Sequence, residues 1–301
     1  MNQGHTWRER VPPASAGERL LDHLAGRWRH GSFDQWRERL ERGELLLDGA
    51  SARGDERLAA GQELQWRRPP WEEPQVPQSF ALLHRDDHLL AVAKPAGLPT
   101  MPSGGRFLDH TLLHRVRARW PEATLLHRLD RGTSGVVLLA RSDLARREVA
   151  HSWRRGAVRR LYRGLVEGAP REDSFEITAP IGELPHATLG RVFAVAQRGR
   201  ASVTRVRVVE RRATTTLVEI EIGSGRPHQI RIHLAWCGHP LVGERFYGTG
   251  GGPRAGSAAM PGDIGYRLHA ERLIVPHPSH LAPLTIWCSP PSDLRATGVN
   301  V

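Results

Sequence analysis

The sequence predicts an α+β fold built on a mixed, largely antiparallel sheet, with a small α/β region ahead of it. Three observations carry that expectation. Residues 202–210, through Val203, Arg205, Arg207 and Val209, and then residues 214–222 show the two-residue alternation of half-exposed antiparallel strands. Helical spacing is confined to a few short stretches, and no strand–helix alternation repeats. No Gly-x-Gly-x-x-Gly follows a strand and no Gly-x-x-x-x-Gly-Lys-Ser/Thr occurs, which disfavours dinucleotide-binding and P-loop folds.

The elements can be justified in chain order. Residues 1–16 are polar, contain Pro12-Pro13, and read as a loose arm or a strand lead-in. Leu20, Leu21 and Leu24 have the spacing of one short helix, and Phe33, Trp36, Arg37 and Leu40 that of a second ending near Gly43. Leu45–Leu47, the turn Asp48-Gly49 and Leu64-Gln65-Trp66 follow as short strands. Two helices and a small β element over residues 17–68 resemble the alpha-L RNA-binding domain, with aspartate where that family usually has asparagine in the turn. Arg27, Arg29, Arg37, Arg39 and Arg42 either cluster as an RNA-binding face or form an ordinary solvated face paired with Glu38 and Glu41. Residues 1–70 carry 12 arginines against 11 acidic residues, so most of the positive surplus lies further on. Pro69, Pro70, Pro74 and Pro77 deny ladder hydrogen bonds and mark residues 69–79 as a linker.

A larger domain is expected over residues 80–290. Leu82-Leu83 and residues 88–93 read as strands about the turn Asp86-Asp87, and residues 110–120 as a helix. Val136 to Ala140 suits a buried strand; Ser142 is placed to cap a helix running to about Arg155. Residues 161–168 and 175–181 read as strands, 189–199 as a hairpin, and a helix is expected from about Pro227 to Gly238 with Ile230, Leu234 and Cys237 on its apolar face. The glycine-rich stretch 248–262 is expected to be mobile, before strands at 266–274 and 284–286.

The 301 residues carry a formal charge of +11, with 43 basic against 32 acidic side chains, a balance that favours a polyanionic partner, nucleic acid before membrane. Eight arginines between 141 and 163 face only Asp143 and Glu148, and phosphate contact is the preferred reading of that run. Cys237 and Cys288 form no metal-ligand spacing, and neither a leader's apolar region nor a membrane span is visible, so a cytoplasmic protein is expected. A monomer is the default expectation.

The chain turns on residues 125–141, LLHRLDRGTSGVVLLAR, in which Asp130 sits between Arg128 and Arg131 in a tight connection before an apolar strand. Alone, this spacing fits a structural salt bridge as well as a reactive carboxylate. Together with RLYRGLVEG from Arg160 to Gly168 and GRPHQIRIHLAWCGHPLVGERFYG from Gly225 to Gly248, it resembles the RluA-type pseudouridine synthases. LLAVAKPAGLPTMPSG, ending at Gly104, resembles the family's strand and Lys-Pro-Ala-Gly-Leu segment.

The resemblance implies a pseudouridine synthase fold and isomerisation of uridine in RNA to pseudouridine, with no cofactor and no metal. It implies that Asp130 is catalytic, that Tyr162 stacks on the target base and assists proton transfer, and that a basic residue pairs with Asp130. Alignment places that residue at Arg231, with Arg226 the alternative. A sheet tyrosine packed on the core is the competing reading of Tyr162. Arg128 and Arg131 are candidate substrate contacts, Leu268 resembles the residue closing the base pocket or is a plain strand leucine, and Lys94 either binds phosphate or caps its strand. His228 and His233 have no Ser or Cys partner at a recognisable spacing and read as packing or hydrogen-bonding residues. The expected partner is structured RNA, large-subunit ribosomal RNA before transfer RNA, and the alternative function is a non-catalytic RNA-binding protein.

Overall fold

The computed structural model describes residues 1–28, 31–102 and 105–297. Two compact units are present, one of residues 1–75 with 102–110 and the other of residues 76–101 with 111 onward.

The first unit contains β1 (His5–Arg10), α1 (Leu20–Arg27), α2 (Phe33–Glu41), β2 (Leu45–Leu47), β3 (Ala50–Ser51) and β4 (Glu63–Arg68), with the sheet in antiparallel order β1-β4-β2-β3. Leu20, Leu21 and Leu24 of α1 and Trp36 and Leu40 of α2 bury against Trp66, as their spacing requires. Ser32 and Gln35 close a capping box at the start of α2. Leu47 pairs with Ala50, so Asp48-Gly49 is a two-residue hairpin loop with φ of 49° and 84°, the double left-handed turn that fits the twist of a hairpin. The Asp48 carboxylate then accepts from Glu63 N at 2.8 Å and Gln62 Nε2 at 2.9 Å, so aspartate serves this turn fully.

Two expectations change here. The polar arm is a strand, β1, paired along the whole of β4. The proline-rich stretch contains an anchor: the Glu73 carboxylate accepts from Asn2 Nδ2 and from the amides of Leu108, Asp109 and His110, all at 2.7–3.0 Å. Burial works to raise its pKa, but these four donors outweigh it and hold it at about 2. Among the clustered arginines, Arg27 pairs with Glu9, Arg37 with Asp34 and Arg42 with Glu38, and the Arg39 guanidinium lies over the Trp36 and Trp66 rings. Arg29 lies outside the described residues.

The second unit is built from β5 (Ala81–Arg85), β6 (Leu89–Lys94), α3 (Leu112–Arg117), β7 (Thr124–Leu125), β8 (Ser134–Ala140), α4 (Asp143–Arg154), β9 (Arg159–Glu167), β10 (Ser174–Ile177), β11 (Ile181–His186), β12 (Gly190–Val195), β13 (Thr204–Arg211), β14 (Thr215–Ile222), α5 (Gln229–Trp236), β15 (Leu268–Pro276) and β16 (Pro283–Trp287). Its main sheet runs β10-β13-β14-β9-β15-β8-β6-β5, with β16 beside β15 and β7 beside β8. Only the β15–β8 pairing is parallel, so the sheet is mixed and largely antiparallel, as expected. Val149 of α4, capped by Ser142, packs on Leu138 and Leu273 of the sheet.

The hairpin falls earlier than the sequence predicts: residues 181–186 pair with 190–195, and 196–199 form a separate turn. The expected stripe on α5 is replaced by burial of every residue from Gln229 to Ala235, and it is Trp236 that is exposed. The glycine-rich stretch is laid down in successive turns, with Gly248 N donating to Gly252 O and Arg254 N to Phe246 O.

Candidate active site

The three central strands of the main sheet, β9, β15 and β8, meet at a cleft of about 430 Å³, a volume in the range that holds a small ligand or one base. Asp130 lies on the connection entering β8, Tyr162 on β9 and Leu268 at the start of β15, and all three line this cleft. Adjacent strands therefore bring together residues that are 32 and 106 positions apart from their nearer neighbour in the set.

The Asp130 loop is held from below through its backbone. Thr100 Oγ1 both donates to Leu129 O (2.6 Å) and accepts from Leu129 N (3.2 Å), Gly97 N donates to Arg131 O (2.7 Å), and Thr133 N donates to Asp130 O (3.1 Å). Gly135 follows at φ 113°, where a Cβ would lie 2.2 Å from Ala270 O, so glycine is required for β8 to start against β15.

Arg128 lines the cleft, as does the alternative Arg226. Two expected ligands do not. Lys94 is 1% exposed, and its ammonium donates to Pro95 O, Leu98 O and Arg131 O at 3.0, 2.7 and 3.3 Å. An ammonium has three donors, so none remains for a phosphate. Lys94 instead ties residues 95–98 to the Asp130 loop, and burial draws its pKa down to about 7 against the favourable charge of Asp130. Arg131 turns away from the cleft, donating from Nε to Gly262 O at 3.2 Å.

Arg231 lines the cleft but is not in direct contact with Asp130. It is 2% exposed and bidentate on Glu244, Nε to Oε2 at 2.6 Å and Nη2 to Oε1 at 2.9 Å, while Nη1 donates to Pro261 O. Its face lies 4.3 Å from the Tyr266 ring centroid and 5.0 Å from that of Tyr247. Burial opposes the charge on both partners, yet their mutual hydrogen bonds keep the Glu244 carboxyl low and the guanidinium pKa raised. The fold thus commits the Arg231 guanidinium to Glu244, and Asp130 is not its ion-pair partner here.

Among the described residues the His228 imidazole approaches Asp130, with Nε2 3.8 Å from Oδ1. His228 has φ 55° and ψ 18°, a left-handed conformation that few side chains adopt, and its Nδ1 is 2.6 Å from the Tyr247 hydroxyl. Burial lowers its pKa and so favours the neutral ring; Nδ1 shares a hydrogen bond with the Tyr247 hydroxyl while Nε2 faces Asp130. His233, by contrast, is the buried hydrogen-bonding residue the sequence suggests, bound to Thr204 Oγ1 and Ala179 O.

Tyr162 is buried, which raises its pKa and keeps a neutral phenol; Arg160 and Asp130 pull that pKa in opposite directions. The chain has three tyrosines, and all three stand here: Tyr162 in the wall, Tyr247 behind His228, and Tyr266 against Arg231 and Thr133.

Comparison with known proteins matches the RNA pseudouridylate synthase family to residues 88–236, which span the Asp130, Tyr162 and Arg231 segments. An uncharacterised RNA pseudouridine synthase of Synechocystis sp. is 42% identical over 84% of this chain and 88% of its own length. This chain belongs to the RNA pseudouridylate synthase family. It is an isomerase that converts uridine in RNA to pseudouridine. The ribosomal large subunit pseudouridine synthase D of Nitrosomonas europaea is 33% identical over 95% of this chain and 85% of the relative. The solved structure of human RNA pseudouridylate synthase domain containing 1 shares the fold, with a TM-score of 0.56 over 73% of this chain and 86% of that one at 24% identity.

One arginine of the synthase's basic run, Arg160, lines this cleft. Of the eight arginines from 141 to 163, four are neutralised by carboxylates: Arg141 by Glu122, Arg146 by Asp143, Arg159 by Glu221 and Arg163 by Glu271. Arg147, Arg154, Arg155 and Arg160 have no carboxylate partner among the described residues. No helix among the described residues is long and apolar enough to cross a membrane.

Proposed function

We propose that Asp130 is the catalytic carboxylate, Tyr162 the residue that stacks on the target uracil and relays a proton, and Leu268 the opposite wall of the base pocket. The observation that carries this reading is the convergence of a backbone-fixed carboxylate, an aromatic ring and an aliphatic wall from three neighbouring strands in one base-sized cleft. Isomerisation breaks the N1–C1′ bond, turns the uracil and joins C5 to C1′; the proton leaving C5 is balanced by one gained at N1. A neutral phenol suits that transfer, and the buried Arg231–Glu244 pair braces the cleft without competing for the Asp130 oxygens. Arg128 is placed to contact the RNA at the mouth of the cleft.

The substrate proposed is large-subunit ribosomal RNA, supported by relatives of that name that align over nearly the whole chain. Residues 17–68 are proposed as an RNA-binding domain, residues 69–79 as a proline-rich linker and residues 80–290 as the catalytic domain. Internal pairing of Arg27, Arg37 and Arg42 leaves the main phosphate grip to the catalytic part. A cytoplasmic monomer is proposed, supported by the RNA substrate and two free cysteines. Pseudouridine mapping by carbodiimide-dependent stops, in cells with the gene, without it and with Asp130→Asn, tests the assignment. A ribosomal site lost in both altered strains is expected; a site retained in Asp130→Asn cells sinks the catalytic role, and a loss confined to transfer RNA moves the substrate.

A further inference from the structure

We propose that Arg160, seated between the Trp153 ring and the bare backbone at Gly225, is a binding site for one phosphodiester of the substrate RNA next to the target uridine. The proposal rests on the reading of the Asp130 cleft as the uridine pocket.

Arg160 and Tyr162 are two residues apart on β9, so both side chains leave the same face of the strand, and both line the cleft. The guanidinium carbon stands 5.5 Å from the Trp153 ring centroid. On the other side, a Cβ at Gly225 would come within 2.7 Å of Nη1, so a side chain there would make the fork shift from this seat. The seat is built, yet the cation in it is unanswered. Nε is buried without a hydrogen bond, and the Arg160 side chain makes no hydrogen bond or ion pair with any described residue. Burial disfavours its charge, and no carboxylate acts on it in return.

A half-buried cation whose Nε is sealed from water without a hydrogen bond is a standing cost to the folded chain. The same cleft shows that the fold can remove such a cost, for Arg231 is answered by the buried Glu244. Arg160 is therefore a cation whose partner arrives with the ligand. With Arg231 offset, the cleft carries Arg128, Arg160 and Arg226 against Asp130 alone, a balance that favours an anion. A guanidinium fork matches two phosphate oxygens, and a nucleotide whose base lies on Tyr162 brings its own phosphodiester to the neighbouring position on that face.

The test uses the full chain and an RNA oligonucleotide holding the mapped target uridine, made with a neutral methylphosphonate at one linkage at a time on either side of it. Arg160→Met is expected to raise KM about tenfold with kcat within about twofold, and to flatten the salt dependence by about one ion. One methylphosphonate linkage is expected to weaken the wild-type protein about tenfold and to leave Arg160→Met unaffected. Gly225→Ala, which keeps the charge but displaces Nη1, is expected to fall between the two, and carries the test if Arg160→Met does not fold. A loss in KM that couples to no linkage, or a loss confined to kcat, overturns the proposal. Asp130→Asn run in parallel separates the two readings: it is expected to bind RNA with the same Arg160 coupling while turning nothing over. Turnover by Asp130→Asn refutes the uridine-pocket reading whatever Arg160 does.

Discussion

The arginines of the first unit and those of the cleft sit in opposite circumstances. In the first unit Arg27, Arg37 and Arg42 meet nearby acids at 2.6–3.5 Å, in exposed pairs that each add little to stability. In the cleft the buried Arg231 has a buried acid of its own, whereas the half-buried Arg160, whose Nε is sealed from water, has none among the described residues. Surface arginines are solvated either way, so their pairing says little. A guanidinium taken even partly out of water has its pairing decided at folding, and whether the fold supplies an acid distinguishes Arg231 from Arg160.

The sharpest break in that comparison is expected at Asp130. Asp130→Asn should lower turnover by about 10⁴-fold or more while leaving the melting temperature unchanged, as measured by single-turnover assay and calorimetry. Next comes the buried pair. Glu244→Ala should cost about 3–5 kcal/mol in denaturant unfolding, because Arg231 is left as an uncompensated buried charge. Combining it with Arg231→Met should recover much of that stability but not activity, and recovery of activity would show that Arg231 is scaffold alone.

In the first unit Glu73 provides the pH test. Its folded pKa, about 2, lies below its ordinary value, so its contribution is present above about pH 4.5 and is lost as pH falls toward 2. Glu73→Gln should cost about 1–3 kcal/mol at pH 7 and flatten acid denaturation in that window, read by urea titration. The smallest effect is expected at Tyr247. Tyr247→Phe removes the partner of His228 Nδ1 and releases its tautomer, lowering kcat about tenfold, or ~1.4 kcal/mol. An unchanged kcat would leave His228 a packing residue.

Most of the sheet was legible because its strands carry a local signal. β9, β13 and β14 alternate, and Ser142 announces α4 with its own cap. β1 was not legible, for nothing in HTWRER marks its pairing with β4 almost 60 residues on. The cleft divides the same way. Asp130, Tyr162 and Leu268 stand in motifs, and all three line the cleft. Glu244 and Tyr247 stand in the same quoted run as Arg231, but their roles depend on how residues 240–247 fold back over α5, which spacing along the chain does not encode. His228 was passed over because histidine reactivity was sought through Ser or Cys partners; its left-handed backbone, which aims the ring, is visible only in three dimensions. Lys94 shows the converse, a lone lysine that invites a functional reading and whose donors are consumed by carbonyls.

The gathering of all three tyrosines at Asp130 has a practical consequence. Replacing tyrosine with 3-fluorotyrosine throughout the chain would place every fluorine label in the active site and none elsewhere. A 19F spectrum of this protein would then hold three resonances, one from the cleft wall, one from behind His228 and one from beside Arg231. Each step of RNA capture could be followed at the site itself, free of signals from the rest of the molecule.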